Sequence, residues 1–344
     1  MVDMGKTIAT SAEIKRKALE LGFLGCGIIP VNVFDEYAQS LDERVKSFPE
    51  SKAFYDPLYN LVNQPDNAKS IIVCTNRYNK YKVPGNLDRS IGKVYLFDSR
   101  ISYTQEYREN SEFETYIKLL GMNVHTGGVP SRLAAAKAGL GKFGRNNFLY
   151  DQEHGSYIWI NAWVVDKELE YDDIKNDTLH PSCDESCQKC VKSCPTKALS
   201  GSFSMDRGGC VAQLSCYAKD LMDENTMPEM GTWLYGCDAC QDACPLNRDK
   251  FTETEDYPLL AMFEEYLKPE RILEMDENTY KNILNPRFWY AGEDKLWLWK
   301  CNALRSMINS GEEKYHPLIK KACNDEDARI KKIAQWGLKR LNLR

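Results

Sequence analysis

Seven cysteines in two runs, with two more between them, carry the most legible chemistry of the chain. The first run is Cys183-x3-Cys187-x2-Cys190-x3-Cys194-Pro195 and the second is Cys237-x2-Cys240-x3-Cys244-Pro245. A [4Fe–4S] cube takes one thiolate at each of its four irons. Short spacers let one loop reach three of them, and the proline after the last cysteine turns the chain toward a second cube. Against the spacing C-x2-C-x2-C-x3-C-P, the first run carries one extra residue between Cys183 and Cys187. The second run has only three cysteines, so its fourth ligand must come from upstream, from Cys210 or Cys216. In such a crossed pair, Cys183, Cys187, Cys190 and Cys244 hold one cube. Cys194, Cys237, Cys240 and the upstream cysteine hold the other. Two C-x2-C pairs also suit a zinc site with four thiolates, but zinc leaves both C-x3-C-P halves without a role.

The elements that position this stretch belong to a chain of 344 residues, room for two or three domains. Its hydrophobic content of 43% is that of an ordinary globular protein. The thirteen cysteines are clustered, which points to metal rather than to a disulfide framework. Residues 1–11 show neither an apolar signal core nor a twin arginine, and no apolar run approaches a membrane span. A reduced, cytoplasmic protein outside the membrane is expected. The net charge of −5, with no basic tail, argues against a partner that is mostly phosphate.

Thr10-x-x-Glu13 reads as a capping box, Ile14, Ala18 and Leu21 recur at helical spacing, and Gly22 stops that helix. A strand is expected over Phe23 to Pro30, helix within Phe34 to Val62, and a buried strand at Ile71-Ile72-Val73-Cys74. Tyr78 to Asp88 reads as a loop. Tyr103 to Leu120 has helical periodicity ended by Gly121, and Leu133 to Ala138 is an alanine-rich helix. Gly139-Leu140-Gly141-Lys142-Phe143-Gly144-Arg145-Asn146-Asn147 then forms a glycine-rich loop. It is neither a P-loop nor a dinucleotide fingerprint, and it suits either a close ligand or a tight structural turn. Tyr157 to Asp166 reads as a long strand. From Phe251 onward the pattern is helical, with Leu296 to Ile308, Pro317 to Cys323 and Asp327 to Leu341 as amphipathic helices of HEAT type. The lysines and arginines beside the last of them read as a solvated face.

Several of these pieces, in this order, resemble the epoxyqueuosine reductases and, more distantly, the reductive dehalogenases. They are Lys69-Ser70-Ile71-Ile72, Ala138-Gly139-Leu140-Gly141, Gly155-Ser156 before an aromatic strand, and Gly236-Cys237-Asp238-Ala239-Cys240-Gln241-Asp242-Ala243-Cys244-Pro245. The resemblance spans roughly residues 65–250. Cys210-Val211-Ala212-Gln213-Leu214 is similar to the stretch that supplies the upstream ligand in that family, which favours Cys210 over Cys216. It implies an α+β multidomain chain. The parts are a nitroreductase-like α/β corrinoid domain over 1–172, a bacterial ferredoxin-like double [4Fe–4S] domain over 173–250 and a HEAT-like helical segment over 251–344. It also implies cobalamin, held without a protein ligand to cobalt and fed by the two clusters. Gly139, Gly141, Lys142, Gly144, Arg145 and Asn146 are its implied contacts. Electrons would come from a low-potential donor such as a ferredoxin or flavodoxin.

The chain also departs from that family. Where the epoxyqueuosine reductases carry Asp-Ser-Ala-Pro, with the aspartate as proton donor, this chain has His125-Thr126-Gly127-Gly128. Their Arg-Asp-Tyr-His element becomes Arg100-Ile101-Ser102-Tyr103, and Gly144-Arg145-Asn146-Asn147 is closer to the dehalogenases. The first expectation is therefore a cobalamin-dependent reductase of a small organic substrate. The alternatives are reduction of epoxyqueuosine in tRNA and a plain electron-transfer protein without corrinoid. The proton would come from Tyr103 or His125, with Arg100 or Arg145 stabilising a phenolate. Asn123-x-His125-x-x-Gly128 also approaches the Asp-x-His-x-x-Gly element by which other corrinoid proteins ligate cobalt.

Overall fold

A computed structural model of the chain describes residues 10–125, 128–183, 186–201 and 203–343. The expectations placed on residues 1–9, and on Thr126 and Gly127, lie outside the described residues. The capping box forms as read. The Glu13 amide donates to Thr10 Oγ1 at 3.3 Å, and the Thr10 amide donates to the Glu13 carboxylate at 2.7 Å. It opens the helix Ser11–Glu20, whose Ile14 and Ala18 are fully buried.

Six strands follow: β1 (Gly25–Pro30), β2 (Ser70–Arg77), β3 (Val124–His125), β4 (Lys142–Phe143), β5 (Leu149–Tyr150) and β6 (Ile158–Val165). β4 and β5 form a separate hairpin, and the others make one antiparallel sheet in the order β1-β2-β6-β3. Helices cover both faces of this sheet. On one face Ile28, Ile72 and Trp163 pack against Ile14, Phe113 and Ile117, from Ser11–Glu20 and Gln105–Leu119. On the other, Ile71, Val73 and Val164 meet the alanines of the helix Ser131–Lys137. This two-sided burial explains why β2 is an unbroken apolar run rather than an alternating one. The alanines let helix and sheet approach closely, since a Cβ on Gly27 would stand only 2.5 Å from that of Ala138.

His125, for which the sequence suggested no element, lies in β3, paired with Val164. One expectation changes. The segment from Phe251 to Leu259, read as helical, contains no helix; the first is Leu260–Phe263. Tertiary pairing takes its backbone instead. Thr252 N donates to Asn79 O at 2.7 Å, Glu255 N to Lys80 O at 2.9 Å, and Lys82 N to Glu255 O at 2.8 Å. The last three helices, Leu296–Ser310, His316–Ala322 and Ala328–Arg340, do form and pack on one another. Gly311 closes the first in the left-handed region, with φ +69°. Among the described residues no helix is long and apolar enough to cross a membrane.

Candidate metal centre and its surroundings

The cysteines of the two runs fold into two groups whose thiols feel one another. Burial and then the charges of Cys244 and Cys187 push Cys183 up, and burial and then those of Cys244, Cys183 and Cys187 push Cys190 up. Burial, then Asp238, Cys210 and Cys194, do the same to Cys237, and burial, then Cys237, Cys210 and Cys194, to Cys240. Cys210 in turn feels Cys194, while the amides of Ala212 and Gln213 at its sulfur pull the other way. The partition is Cys183, Cys187, Cys190 and Cys244 against Cys194, Cys210, Cys237 and Cys240. Cys240 also feels Cys190, so the groups adjoin. Buried thiols held protonated by neighbouring thiols form a donor set that a cation reverses, because coordinated thiols bind as thiolates. Among the described residues no three His, Cys, Asp or Glu side chains converge as they would around one ion. A cube, with one thiolate per iron, spreads its ligands more widely.

Struts from elsewhere in the chain hold these loops. Ser193 Oγ donates to Cys190 O at 3.0 Å and Ala239 O at 3.1 Å, joining the two runs. Asn146 Nδ2 donates to Cys240 O at 3.2 Å and to the Tyr150 hydroxyl at 2.9 Å, and that hydroxyl pairs with the Cys244 thiol. Arg145 Nη2 donates to Cys183 O at 2.8 Å. A buried amide network fixes the second run from below. Gln241 Nε2 and Asn247 Nδ2 donate to Ser156 Oγ at 2.9 and 2.8 Å, and Ser156 N donates to Asn247 Oδ1 at 2.8 Å. Lys93 Nζ reaches Asp242 at 3.0 Å and Asp238 at 3.4 Å. Burial pushes the Asp238 carboxyl up to about 6 against the pull of Lys93.

Sequence reasoning missed the roles of Asn247, Tyr150 and Lys93, and quoted Ser156 and Gln241 only inside separate motifs, without linking them to each other. Gly155 is needed because its φ is +62° and a Cβ there would lie 2.3 Å from Asn247 Oδ1.

The residues read as corrinoid contacts have roles within the chain. A Cβ on Gly141 would stand 2.7 Å from Tyr150 O, and one on Gly144 would stand 2.4 Å from the Tyr150 ring. Lys142 pairs with Asp177 at 2.6 Å, Gly139 turns the chain at φ +81°, and Arg145 and Asn146 brace the cysteine loops. Gly141 and Gly144 thus serve the close approach of β5.

Arg100, Tyr103 and His125 do not come together. Arg100 forms a fork on the buried Asp98 at 2.9 and 3.0 Å and lies against Trp159, Trp289 and Tyr290, whose hydroxyl it also meets. Tyr103 stands three residues along, exposed just before the Thr104 cap. Burial raises its phenol and Arg287 opposes the shift. His125 pairs with Val164, five residues along β6 from Trp159, roughly 17 Å of strand. Its Nε2 is buried without a hydrogen-bond partner. Asn123, the first position of the cobalt-ligand pattern, is engaged by Asp166. Cys216 is fully buried beside Ser215, at 3.7 Å.

Residues 182–247 match the family model described as a 4Fe-4S double cluster binding domain. An epoxyqueuosine reductase from Cellulophaga algicola is 30% identical over 257 residues, 72% of this chain and 81% of that protein. The solved epoxyqueuosine reductase of Streptococcus thermophilus superposes with a TM-score of 0.77 at 22% identity, over 97% of this chain and 90% of that one. A crystal structure of an epoxyqueuosine reductase with a tRNA-Tyr epoxyqueuosine-modified stem loop superposes with a TM-score of 0.73 at 21% identity, over 96% and 89%.

Proposed function

The chain belongs to the epoxyqueuosine reductase family, and we propose that it reduces epoxyqueuosine in tRNA to queuosine. The observation that carries this reading is the match to a reductase of that family over 81% of the relative's length. It promotes the tRNA alternative above the small organic substrate that the changed acid pointed to. The dehalogenase-like reading had rested on local departures at His125 and Arg145, and the family match spans most of the chain. The protein is an iron–sulfur oxidoreductase. Its working place would be the cytoplasm, with electrons drawn from a ferredoxin or flavodoxin.

In this reading Cys183, Cys187, Cys190 and Cys244 hold one [4Fe–4S] cluster, and Cys194, Cys210, Cys237 and Cys240 hold the other. The two adjoining groups would pass electrons singly, which suits a two-electron reduction. The donor chemistry favours it, since buried thiols of each group stand within the fields of its other cysteines. A corrinoid, when bound, would supply a strongly reducing, nucleophilic metal. The fit of the chain to one rests on β6. Trp159, Ile160, Asn161 and Ala162 are only half-buried, although they lie in the middle of the sheet's longest pairing. Among the described residues no strand pairs with their outer edge. Gly139, Gly141 and Gly144 would contact the ring system through backbone, their Cβ space being taken by β5 and Lys175. Lys142, Arg145 and Asn146 would support that loop. The three parts 1–172, 173–250 and 251–344 would hold corrinoid, clusters and the helical flank.

The proton is assigned to Tyr103. It keeps its proton at neutral pH, because burial raises its phenol, and it is exposed three residues along the chain from Arg100. Arg100 would then orient the substrate, being fixed by Asp98 and stacked on Trp289.

The test is genetic. Expression in a bacterial strain lacking its own reductase should restore queuosine in tRNA, read by nucleoside mass spectrometry. Soluble, cluster-loaded protein that leaves epoxyqueuosine unchanged would remove this reading and return the small-substrate one to first place.

A further inference from the structure

The helix Leu296–Ser310 is buried along most of its length. Leu298, Leu304, Met307 and Ile308 enter one apolar cluster, and Leu296, Trp299 and Ala303 enter another. Beside them runs a polar stripe at helical spacing: Asn302, Arg305, Ser306 and Asn309. Asn302 and Arg305 are fully buried. Every member of the stripe donates to backbone carbonyls. Asn302 Nδ2 donates to Ser215 O at 3.0 Å, and Ser306 Oγ donates to Thr232 O at 3.1 Å. Arg305 Nη1 donates to Gly231 O at 2.5 Å, and its Nη2 donates to Trp233 O. Asn309 Nδ2 donates to Met227 O and Gly231 O, each at 2.9 Å. A buried polar side chain is costly without a partner, so this stripe can dock only where these carbonyls are presented.

All of these carbonyls lie within the stretch that joins Cys210 to Cys237. The helix Val211–Tyr217 starts at Cys210, whose carbonyl accepts from Leu214 N at 2.9 Å. Ser215 Oγ accepts from Gly236 N at 2.9 Å, and Gly236 precedes Cys237. Ser215 therefore ties the helix of Cys210 to the loop of Cys237, and Asn302 holds Ser215 by its carbonyl. Arg305 holds the chain at Gly231 and Trp233, just before that loop. The spacing Cys237-x2-Cys240 is fixed by a short loop, but Cys210 lies far upstream, so its approach to Cys237 is a tertiary property. The other thiol group is braced elsewhere, by Arg145 on Cys183 O and Ser193 on Cys190 O. Among the described residues no donor of the stripe bonds to residues 183–194 or 240–247.

We propose that Asn302 and Arg305 are positioning residues for one cluster alone, the one held by Cys194, Cys210, Cys237 and Cys240. The proposal rests on the cluster assignment above. Both residues act through backbone: Asn302 through Ser215, Arg305 through Gly231 and Trp233. Without them Cys210 and Cys237 lose the brace that presents both thiols to one cube, and a cube with a missing corner ligand is not retained. The cluster of Cys183, Cys187, Cys190 and Cys244 keeps its own struts and its irons.

The test uses the full chain, purified anaerobically, as parent, Asn302→Ala, Arg305→Met, Arg305→Lys and Asn309→Ala. The readouts are iron and sulfide content, melting temperature and the electron paramagnetic resonance spectrum of the dithionite-reduced protein. Asn302→Ala and Arg305→Met should fall from about eight irons per chain to about four. Their spectra should lose the broadening that two adjoining reduced clusters impose on each other. Arg305→Lys, which keeps a charged donor for the carbonyls, should recover most of the lost iron. Asn309→Ala loosens the same helix without touching Ser215 or Trp233, so it should melt lower and keep both clusters. Asn302→Ala combined with Cys190→Ser, which removes a ligand of the other group, should leave the chain nearly free of iron. Parent-like iron and spectrum in Asn302→Ala or in folded Arg305→Met overturn the assignment while leaving the clusters in place. So do an equal loss in Asn309→Ala and about four irons remaining in the combined variant. Should Arg305→Met not fold, Asn302→Ala decides, since it deletes a single hydrogen bond. A parent that holds zinc and no iron overturns the cluster reading itself.

Discussion

At the residue scale the sharpest contrast is between Cys194 and Cys216. Cys194 stands with Cys210, Cys237 and Cys240, whereas burial pushes the Cys216 thiol up to about 12 and leaves it a protonated core side chain. Cys194→Ser is therefore expected to lose one cluster, about four of eight irons, while Cys216→Ser keeps both. Iron and sulfide content of anaerobically purified protein decides this, and equal loss in both variants would contradict the partition. A second residue-scale expectation concerns pH. Glu109 accepts from Gln105 Nε2 at 2.8 Å and Asn76 Nδ2 at 3.2 Å, yet burial, and then the charge of Glu106, raises its carboxyl above the ordinary value. A carboxyl raised on folding favours the fold below the unfolded value, and that contribution is lost as pH rises through the folded value. Glu109→Gln should thus gain urea midpoint relative to the parent at pH 8 and lose that gain toward pH 4. A difference that is flat with pH would show that Glu109 titrates as it does unfolded.

At the element scale, the turn between β5 and β6 locks the cluster loop. Gly155 takes φ +62° and leaves room for the Asn247 amide, which with Gln241 and Ser156 forms a closed network under Cys240 and Cys244. Gly155→Ala combines backbone strain with displacement of a buried amide, an expected cost of about 2–4 kcal/mol. Iron content should fall with it, because the network is the floor of the second run. Gly85→Ala is the control, since nothing lies within 4 Å of its Cβ position; its thermal midpoint should match the parent's. Similar losses in both variants would mean that the turn has no particular tie to the clusters.

At the scale of the whole molecule, the expected domain boundaries do not divide the core. One buried cluster draws Tyr78, Tyr81 and Phe97 from the first part, Tyr235 from the cluster segment, and Tyr257, Phe288 and Trp299 from the last. Tyr235 and Trp299 stack with ring centres 4.7 Å apart and planes 11° from parallel. A chain ending at Lys250 would expose this apolar surface and is expected to accumulate as insoluble, iron-poor protein. The full chain should lose cluster absorbance and near-ultraviolet ellipticity in one thermal transition. A soluble 1–250 fragment retaining its irons would show that the helical part is dispensable.

The sequence by itself determined what depends on near neighbours along the chain. Ligand spacing from Cys183 to Cys194 and from Cys237 to Cys244 is a local property of loops, and so are the capping box at Thr10 and the apolar run of β2. Each could be read because short-range geometry dictates residue type. The resemblance, carried by ordered motifs, named the family, and Cys210 came from it rather than from spacing. Tertiary structure alone decided what depends on residues far apart in the chain. It placed Cys210 rather than Cys216 with Cys194, set Ser156 on Gln241 and Asn247, and drew the segment after Phe251 out of a helix by pairing it with Asn79 and Lys80. It separated Arg100 from His125 along β6 and brought Arg44 and Arg132 together on Asn147. Side chains that recognise one another across a hundred residues leave no periodicity or spacing behind, because their geometry is set by packing and by the fields of charges that only folding brings together.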